Sequence, residues 1–300
     1  MQLNRINDRV YYIEAPVNMG LIVNDRREAL LVDTGIDDSV ARKVKRLVTE
    51  NGYSLKGIII THAHADHSGG AAHLVKTTGA KVYATAPEKA VLEFPLWEPL
   101  YLFGGAYPPA SMHHKFLLAP AVRVDEVMEP GRHNLDGFEV DVVALPGHTP
   151  GQVGVSAHGV LFCADAVIAP GVLDKHGIPL NVHLKQALAT YDLLEERPEN
   201  YFLPAHGSLV ADIAPVVAAN RTRVHDVLAF ILSLLKDQRS LEEILAPTCT
   251  RFGVDIGNTG QYYLMHLTIM AYMGYLLDRG EIEVSYHGNR QEFVRSGGGK

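Results

Sequence analysis

Short apolar stretches alternate with polar turns over the first two thirds of the chain, a pattern typical of a sheet-rich fold. Stretches rich in Val, Ile, Leu and Tyr predict strands, and apolar residues three and four apart predict helices. The predicted strands are Val10 to Glu14, Gly20 to Asn24, Ala29 to Asp33, Gly57 to Thr61, Phe138 to Ala144, Val153 to Ala157, Val160 to Ala164 and Tyr201 to Leu203. The predicted helices are Val40 to Asn51, Gly70 to Thr78 and Leu184 to Arg197. This order predicts two β-rich halves faced with helices.

The segment from Pro87 to Pro120 has neither a helical period nor strand alternation. Aromatic residues alternate there with prolines and with the pair Gly104-Gly105. Long irregular segments in compact domains often form lids or binding loops. We expect an aromatic wall over an active site, with packing against the core as the equal alternative. Its candidate substrate-binding residues are Trp97, Tyr101, Phe103 and Tyr107.

The pattern becomes helical after residue 210. Helices are predicted over Ile213 to Asp237, Ser240 to Ala246 and Thr259 to Arg279, followed by the strands Ile282 to Tyr286 and Gln291 to Val294. Three helices and a hairpin in this order look like a winged-helix unit. From Ala211 to Lys300, however, nine Lys and Arg stand against ten Asp and Glu. A protein that binds nucleic acid should present a basic surface, so nucleic acid is not the expected partner.

The last predicted helix carries no charged residue from Tyr262 to Leu277 and is apolar on almost every side. A helix of this kind must be covered, and it is too short to be the expected membrane span. We therefore expect burial in the domain or at a subunit interface, with a homodimer through the C-terminal region. The Gly-rich end, Ser296 to Lys300, is expected to be flexible.

Composition is that of an ordinary enzyme. The chain has 300 residues, of which 47% are hydrophobic, enough for one large core or for a core and a smaller second domain. A net charge of -7 disfavours electrostatic binding to nucleic acid or to an anionic membrane. Two cysteines, Cys163 and Cys249, are too few for a disulfide framework. The first nine residues are polar, so a cytoplasmic location is expected.

Four short segments carry candidate metal ligands. Thr61-His-Ala-His-Ala-Asp-His67 follows the apolar run Gly57-Ile-Ile-Ile60, which places three imidazoles and a carboxylate where a buried strand ends. Pro146-Gly-His148, Cys163-Ala-Asp165 and Pro204-Ala-His206 supply the others. Histidine and aspartate bind borderline divalent ions such as zinc, and catalytic sites combine them with an open position for water.

His-x-His-x-Asp-His with these three later ligands resembles the metallo-β-lactamase superfamily over roughly the first 210 residues. The resemblance implies an α/β (α+β) fold: an αββα sandwich as a catalytic domain over residues 1–210, before a helical, winged-helix-like region with a small β-hairpin over 211–300. It also implies two divalent ions, zinc first and iron or manganese as alternatives. One would be held by His62, His64 and His148, the other by Asp66, His67 and His206, with Asp165 and a water or hydroxide bridging both. Asp33 would lie behind the metals and support their ligands.

The chemistry that follows is metal-assisted hydrolysis, in which a metal-bridging hydroxide attacks a carbonyl or phosphorus centre. Asp66 is the candidate catalytic residue that orients this nucleophile and accepts its proton. The motifs look most like those of glyoxalase II-like hydrolases, which cleave thioesters, although the C-terminal part does not look like their glutathione-binding tail. A small-molecule thioester, lactone or other ester is therefore the expected substrate. The alternatives are an iron-dependent sulfur dioxygenase or other oxidoreductase of the superfamily, and a phosphodiesterase or ribonuclease.

Overall fold

The computed structural model describes residues 1–297, so the last part of the predicted Gly-rich end lies outside the described residues. Within that range the strands are β1 (Gln2–Arg5), β2 (Val10–Glu14), β3 (Met19–Val23), β4 (Glu28–Val32), β5 (Ser54–Ile59), β6 (Lys81–Ala84), β7 (Glu126–Val127), β8 (Gly131–Leu135), β9 (Phe138–Ala144), β10 (Val153–Ala157), β11 (Val160–Ala164), β12 (Tyr201–Pro204), β13 (Ile282–His287) and β14 (Arg290–Arg295). The helices are α1 (Asp38–Glu50), α2 (Ala65–Ser68), α3 (Ala71–Thr78), α4 (Ala86–Glu93), α5 (Trp97–Leu102), α6 (Pro170–His176), α7 (Leu184–Glu195), α8 (Ala214–Leu234), α9 (Leu241–Arg251) and α10 (Thr259–Asp278).

Two sheets contain most of the strands. The first has the order β1 to β7, antiparallel from β1 to β4 and parallel from β4 to β7. The second has the order β12-β11-β10-β9-β8 and is antiparallel except for the pair β11 and β12. Four candidate segments follow the carboxyl ends of strands. Asp33 follows β4, the first histidine motif (residues 61–67) follows β5, Asp165 follows β11 and His206 follows β12. Each of these strands has a parallel neighbour, and their ends are where α/β folds place their sites.

Three hydrophobic clusters lie between successive layers of helix, sheet, sheet and helix. In β4, Ala29 and Leu31 face the cluster with α1 and α3, whereas Leu30 and Val32 face the second sheet. In β11, Phe162 faces the first sheet, and Leu161 and Cys163 face the outer helices. Strands buried on both faces explain the near-continuous apolar runs of the sequence. The predicted αββα sandwich is confirmed.

The C-terminal helices cover the outer face of the second sheet. Helices α8, α9 and α10 share one hydrophobic cluster with α7 and with β11. The hairpin of β13 and β14 joins them through Phe293, which is buried and whose backbone pairs with Arg239. The predicted helices and hairpin are therefore present, while the winged-helix arrangement and the boundary at residues 210 and 211 stay predictions. In the described part of the chain, no helix is both long and apolar enough to span a membrane.

Two local predictions were wrong. The segment from Pro87 to Pro120 contains α5 and all of α4 but its first residue, and the short lengths and prolines of these helices hide the helical period. Helix α9 continues through Pro247 to Arg251, beyond the predicted end at Ala246. Residues on both sides of this proline are buried, among them Ile244 and Cys249. Their packing outweighs the backbone hydrogen bond that the proline removes.

Candidate metal centre

The first histidine motif forms a tight connection between β5 and α3. His62 and His67 are buried, while His64 and Asp66 are half-buried and line a cavity. The turn that follows lies against the end of β4, and a Cβ added to Gly69 would lie 2.1 Å from the carbonyl oxygen of Ile36. Glycine is therefore required for the close approach that fixes the motif beside Asp33.

The structure brings all seven predicted ligand side chains together. The ligand atoms of His62, His64 and His148 lie within 4.8 Å of one another, and His64 Nδ1 is 2.9 Å from His148 Nε2. Two nitrogen atoms this close, with a third beside them, can share one cation. A second group within the same limit consists of Asp66, His67 and His206.

Asp165 lies between the two groups. Its Oδ1 is 3.3 Å from His67 Nε2, and its Oδ2 is 3.4 Å from His206 Nε2 and 3.6 Å from His148 Nε2. The residue follows Ala164, whose φ of 50° ends β11 in the left-handed region. This turn lets a single carboxylate reach both groups, as a bridging ligand must.

Buried atoms without partners test whether these residues fit metal ions. His62 Nε2, His67 Nε2 and Asp165 Oδ1 are buried, and none of them makes a well-formed hydrogen bond within residues 1–297, although the last two lie 3.3 Å apart. Such atoms cost free energy unless something binds them. Imidazole nitrogens and a carboxylate oxygen around one point are the donors that a divalent ion such as zinc prefers. The residues therefore fit the metal ions that the motif implies.

The electrostatics of the two groups differ. Burial lowers the pKa of His62 and of His148, and it lowers the pKa of His64 to about 3, which keeps these imidazoles neutral and able to donate a lone pair. Burial also opposes charge on His206, but Asp165 and Asp66 outweigh it and raise its pKa to about 10. The carboxylates that hold a proton on His206 are equally suited to attract a divalent cation.

Asp33 orients the second group from behind. Its carboxylate accepts hydrogen bonds from the Thr61 backbone N–H at 2.9 Å and from His67 Nδ1 at 2.8 Å. The bond to Nδ1 leaves Nε2 of His67 directed at Asp165. A carboxylate behind a ligating histidine fixes the tautomer and the ring orientation.

Gly147 allows His148 to reach the centre. It has a φ of 138°, and an added Cβ would lie 2.6 Å from the Ala187 backbone of α7. His148 Nδ1 donates to the carbonyl oxygen of Leu180 at 2.8 Å, which directs Nε2 at His64. Backbone approach and hydrogen bonding together fix this ligand.

Glu88 joins two ligand loops, a role that no pattern in the sequence indicated. Its Oε2 accepts from the Ala63 N–H at 2.7 Å, and its Oε1 accepts from Thr149 Oγ1 at 2.6 Å and from the Gly151 N–H at 3.0 Å. Ala63 separates His62 from His64, and Thr149 follows His148. Burial raises the pKa of Glu88, although its three donors oppose the shift. No local motif marks this residue, because its role depends on α4 packing beside both loops.

The sequence relationship agrees with this geometry. Residues 12–206 match the family model described as Metallo-beta-lactamase superfamily, and this range contains all seven candidate ligands. The chain belongs to the metallo-beta-lactamase superfamily.

Two solved structures share the fold at low sequence identity. A metallo-beta-lactamase family protein from Thermus thermophilus is 20% identical with a TM-score of 0.73, over 97% of this chain and 100% of that one. A beta-lactamase domain protein from Burkholderia ambifaria is 18% identical with a TM-score of 0.76, over 98% and 94%. At these identities the likeness shows the fold alone, and it extends through the C-terminal region.

Hydroxyacylglutathione hydrolases are among the relatives of this superfamily member. Hydroxyacylglutathione hydrolase GloC of Haemophilus influenzae is 28% identical over 52% of this chain and 68% of its own length. The enzyme of Methylobacillus flagellatus is 29% identical over 50% of this chain and 47% of its own. The chain thus spans about half the length of several curated relatives that it matches. Both of these relatives are hydrolases by name.

A cavity of about 230 Å³ opens onto the candidate ligands of the metal centre. His64, Asp66, His148, Asp165 and His206 form its polar side, and α10 contributes Leu264, Met265 and Leu267 to its apolar side. A second cavity, of about 440 Å³, shares Asp66, Phe116, His176 and His206 with the first. Neither cavity has a lysine or arginine among its lining residues in the described range.

The predicted aromatic wall is only partly where it was expected. Tyr101 lines the first cavity. Trp97 is 51% exposed and packs against Phe94, Tyr107 is 70% exposed beside His113, and Phe103 packs on Tyr263 of α10. None of these three lines either cavity. Leu102, Phe116 and Leu117 of the same segment do so instead.

Proposed function

We propose that the chain hydrolyses small thioesters, and also lactones or other esters, with two bound divalent metal ions of which zinc is the first choice. The observation that carries the proposal is the pair of three-residue groups, His62, His64, His148 and Asp66, His67, His206, with Asp165 between them. Bound there, the ions would supply a water molecule ionised near neutral pH and positive charge beside a developing oxyanion.

The protein's own residues position the reaction. Burial opposes charge on Asp66, but His67 and His206 outweigh it and hold the pKa of this carboxyl at about 2, so it is ionised at neutral pH. A half-buried carboxylate that faces both cavities can orient the attacking water and accept its proton. Asp33 and Glu88 hold the ligand loops without facing the substrate.

The two cavities suit a substrate that is cleaved near its middle. They meet at Asp66, Phe116, His176 and His206, so the acyl part can occupy one cavity and the leaving group the other. Apart from Tyr101 and the histidines at the metal centre, their lining is apolar or acidic. Glutathione carries carboxylates and RNA carries phosphates, and both gain affinity from lysine and arginine. A neutral thioester or ester is therefore favoured over a glutathione thioester or a phosphodiester.

The test uses zinc-loaded protein and matched substrates: neutral N-acetylcysteamine thioesters, the glutathione thioesters of the same acyl groups, lactones and a phosphodiester. We expect the neutral thioesters to give the larger kcat/KM, and a chelator to abolish turnover. Asp66→Asn should lower kcat by about 10²-fold or more with a smaller change in KM, whereas Asp226→Asn, an exposed control on α8, should have no effect. A metal-replete protein inert toward every substrate, yet consuming oxygen with a thiol or persulfide, would overturn the proposal.

A further inference from the structure

Glu98 is a buried carboxyl group that the fold does not explain. It lies on α5, is 6% exposed and faces the cavity of the metal centre. Within residues 1–297 no hydrogen-bond donor or cation pairs with it, and burial, with Asp66 and Glu88 nearby, raises its pKa well above the ordinary value. Glu88, also buried, accepts three hydrogen bonds. The Glu98 side chain is buried and its carboxyl group opens onto the cavity, so a ligand there can supply the hydrogen-bond partner that the fold does not.

The surroundings of Glu98 define what it can bind. Leu102, Leu180, Leu264 and Met265 line the same cavity, and no lysine or arginine of the described chain does. His64 and Asp66 lie on its polar side. A small molecule in this cavity can therefore touch the metal centre and Glu98 together. It must be apolar over most of its surface, with one donor for the carboxyl oxygen atoms.

We propose that Glu98 is a specificity-determining residue that accepts a hydrogen bond from a hydroxyl or ammonium group on the otherwise apolar part of the substrate in this cavity. The inference rests on the proposed function, because it concerns the substrate of the same site. It also names the substrate class more closely: an ester or thioester whose hydrocarbon part carries one hydrogen-bond donor.

Thermal unfolding separates a ligand-binding role of Glu98 from a structural one. Glu98→Leu and Glu98→Gln remove an unpaired buried acid, so both should raise the melting temperature by about 2 °C or more. Glu88→Leu is the matched comparison, because it removes a buried acid with three hydrogen bonds and should lower the melting temperature. A fall in both Glu98 variants as large as that in Glu88→Leu would show that Glu98 supports the fold and would overturn the proposal.

Binding of matched probes tests the donor directly. The probes are alkanethiols, ω-hydroxyalkanethiols and ω-aminoalkanethiols of increasing chain length, titrated into zinc-loaded protein by calorimetry. At one chain length the hydroxyl or amino probe should bind about tenfold more tightly than the alkyl probe of equal length. Glu98→Leu should abolish this preference. Glu98→Gln should keep a preference for the hydroxyl probe and lose one for the amino probe, which distinguishes the two donors.

The controls separate this inference from the proposed function. Glu129→Gln changes an exposed glutamate outside both cavities and should leave every probe affinity unchanged. Zinc content, measured in each variant, should match that of the wild type. Binding needs no turnover, so a Glu98-dependent preference in a protein that hydrolyses nothing would defeat the proposed function alone. Equal probe preferences in the wild type and in Glu98→Leu would defeat this inference alone.

Discussion

The carboxylate of Asp33 accepts a hydrogen bond of 2.8 Å from Nδ1 of His67. Asp33 adopts a φ of 62°, in the left-handed region. A residue held in this region costs about 1–3 kcal/mol unless its surroundings require it. Here the conformation also lets the carboxylate accept from Thr61, so the end of β4, the end of β5 and one ligand are fixed by a single side chain.

Asp33→Asn should weaken metal binding without unfolding the protein. Asparagine tolerates the left-handed backbone, but its neutral amide makes His67 a poorer ligand. We expect zinc affinity, measured by competition with a chromophoric chelator, to fall about 10- to 100-fold. Unchanged zinc affinity in a correctly folded variant would show that Asp33 has no part in the centre.

Glu88→Gln should loosen both ligand loops. The new amide group presents N–H donors to the N–H groups of Ala63 or Gly151, which leaves a buried donor unpaired at a cost of about 1–3 kcal/mol. Denaturant unfolding should detect this loss, and zinc affinity should fall with it. Glu93→Gln is the matched control, because Glu93 also lies on α4 and accepts from a backbone N–H, that of Val124. Glutamine keeps a carbonyl oxygen for this one donor, so the control should keep both its stability and its zinc affinity. Equal zinc losses in both variants would refute the role of Glu88.

The ion pair between Asp37 and Lys115 predicts a pH dependence of stability. Lys115 Nζ lies 2.8 Å from Asp37 Oδ2, and this bond, followed by that from Ser39, lowers the pKa of Asp37. A carboxyl group whose pKa is lower in the folded state than in the unfolded state stabilises the protein at a pH above the unfolded pKa of about 3.9. This stabilisation is lost as the pH falls from there through the folded-state pKa. The melting-temperature difference between wild type and Asp37→Asn should be constant from pH 8 to about 5 and shrink below about 4. A difference that grows on acidification would contradict this assignment.

From the C-terminal region we predict that copies of the chain associate and that the chain does not bind DNA. Helix α10 keeps an apolar surface, with Met270 40% exposed, although its other side is buried against α5, α7 and α9. Light scattering coupled to size exclusion should give the mass of a dimer or a larger oligomer. Met270→Lys should shift the protein toward the monomer, since a charge is costly in an apolar interface. A monomer at all concentrations, or duplex DNA binding that weakens steeply with salt, would refute the prediction.

The sequence predicts the layers of this fold because the buried residues of each strand and helix follow a pattern within that element. The runs of β4, β5 and β11 are apolar on both faces, and α1 repeats buried positions at Ala41, Val44 and Val48. The candidate ligands are equally visible, because each follows a predicted strand in a short polar motif. Short elements such as β1, β6 and α6 were not predicted, since four to seven residues carry too little periodicity.

The cavity could not be predicted in the same way. Its walls combine α5 with Leu264 and Met265 of α10, which are far apart in the sequence. Glu88 and Glu98 are two glutamates among many until the fold buries them, one with three donors and the other with none from residues 1–297. Tertiary packing also turns Phe103 toward Tyr263 while Tyr101 faces the cavity, a difference that composition does not contain.

The metal content of the purified protein tests the central claim most directly. After zinc loading and removal of free metal, inductively coupled plasma analysis should find about two ions per chain. His206→Ala should retain about one, and Asp165→Ala should weaken the binding of both, because this carboxylate lies between the two groups. A wild-type stoichiometry of one or less that added zinc, manganese or iron cannot raise would contradict the account.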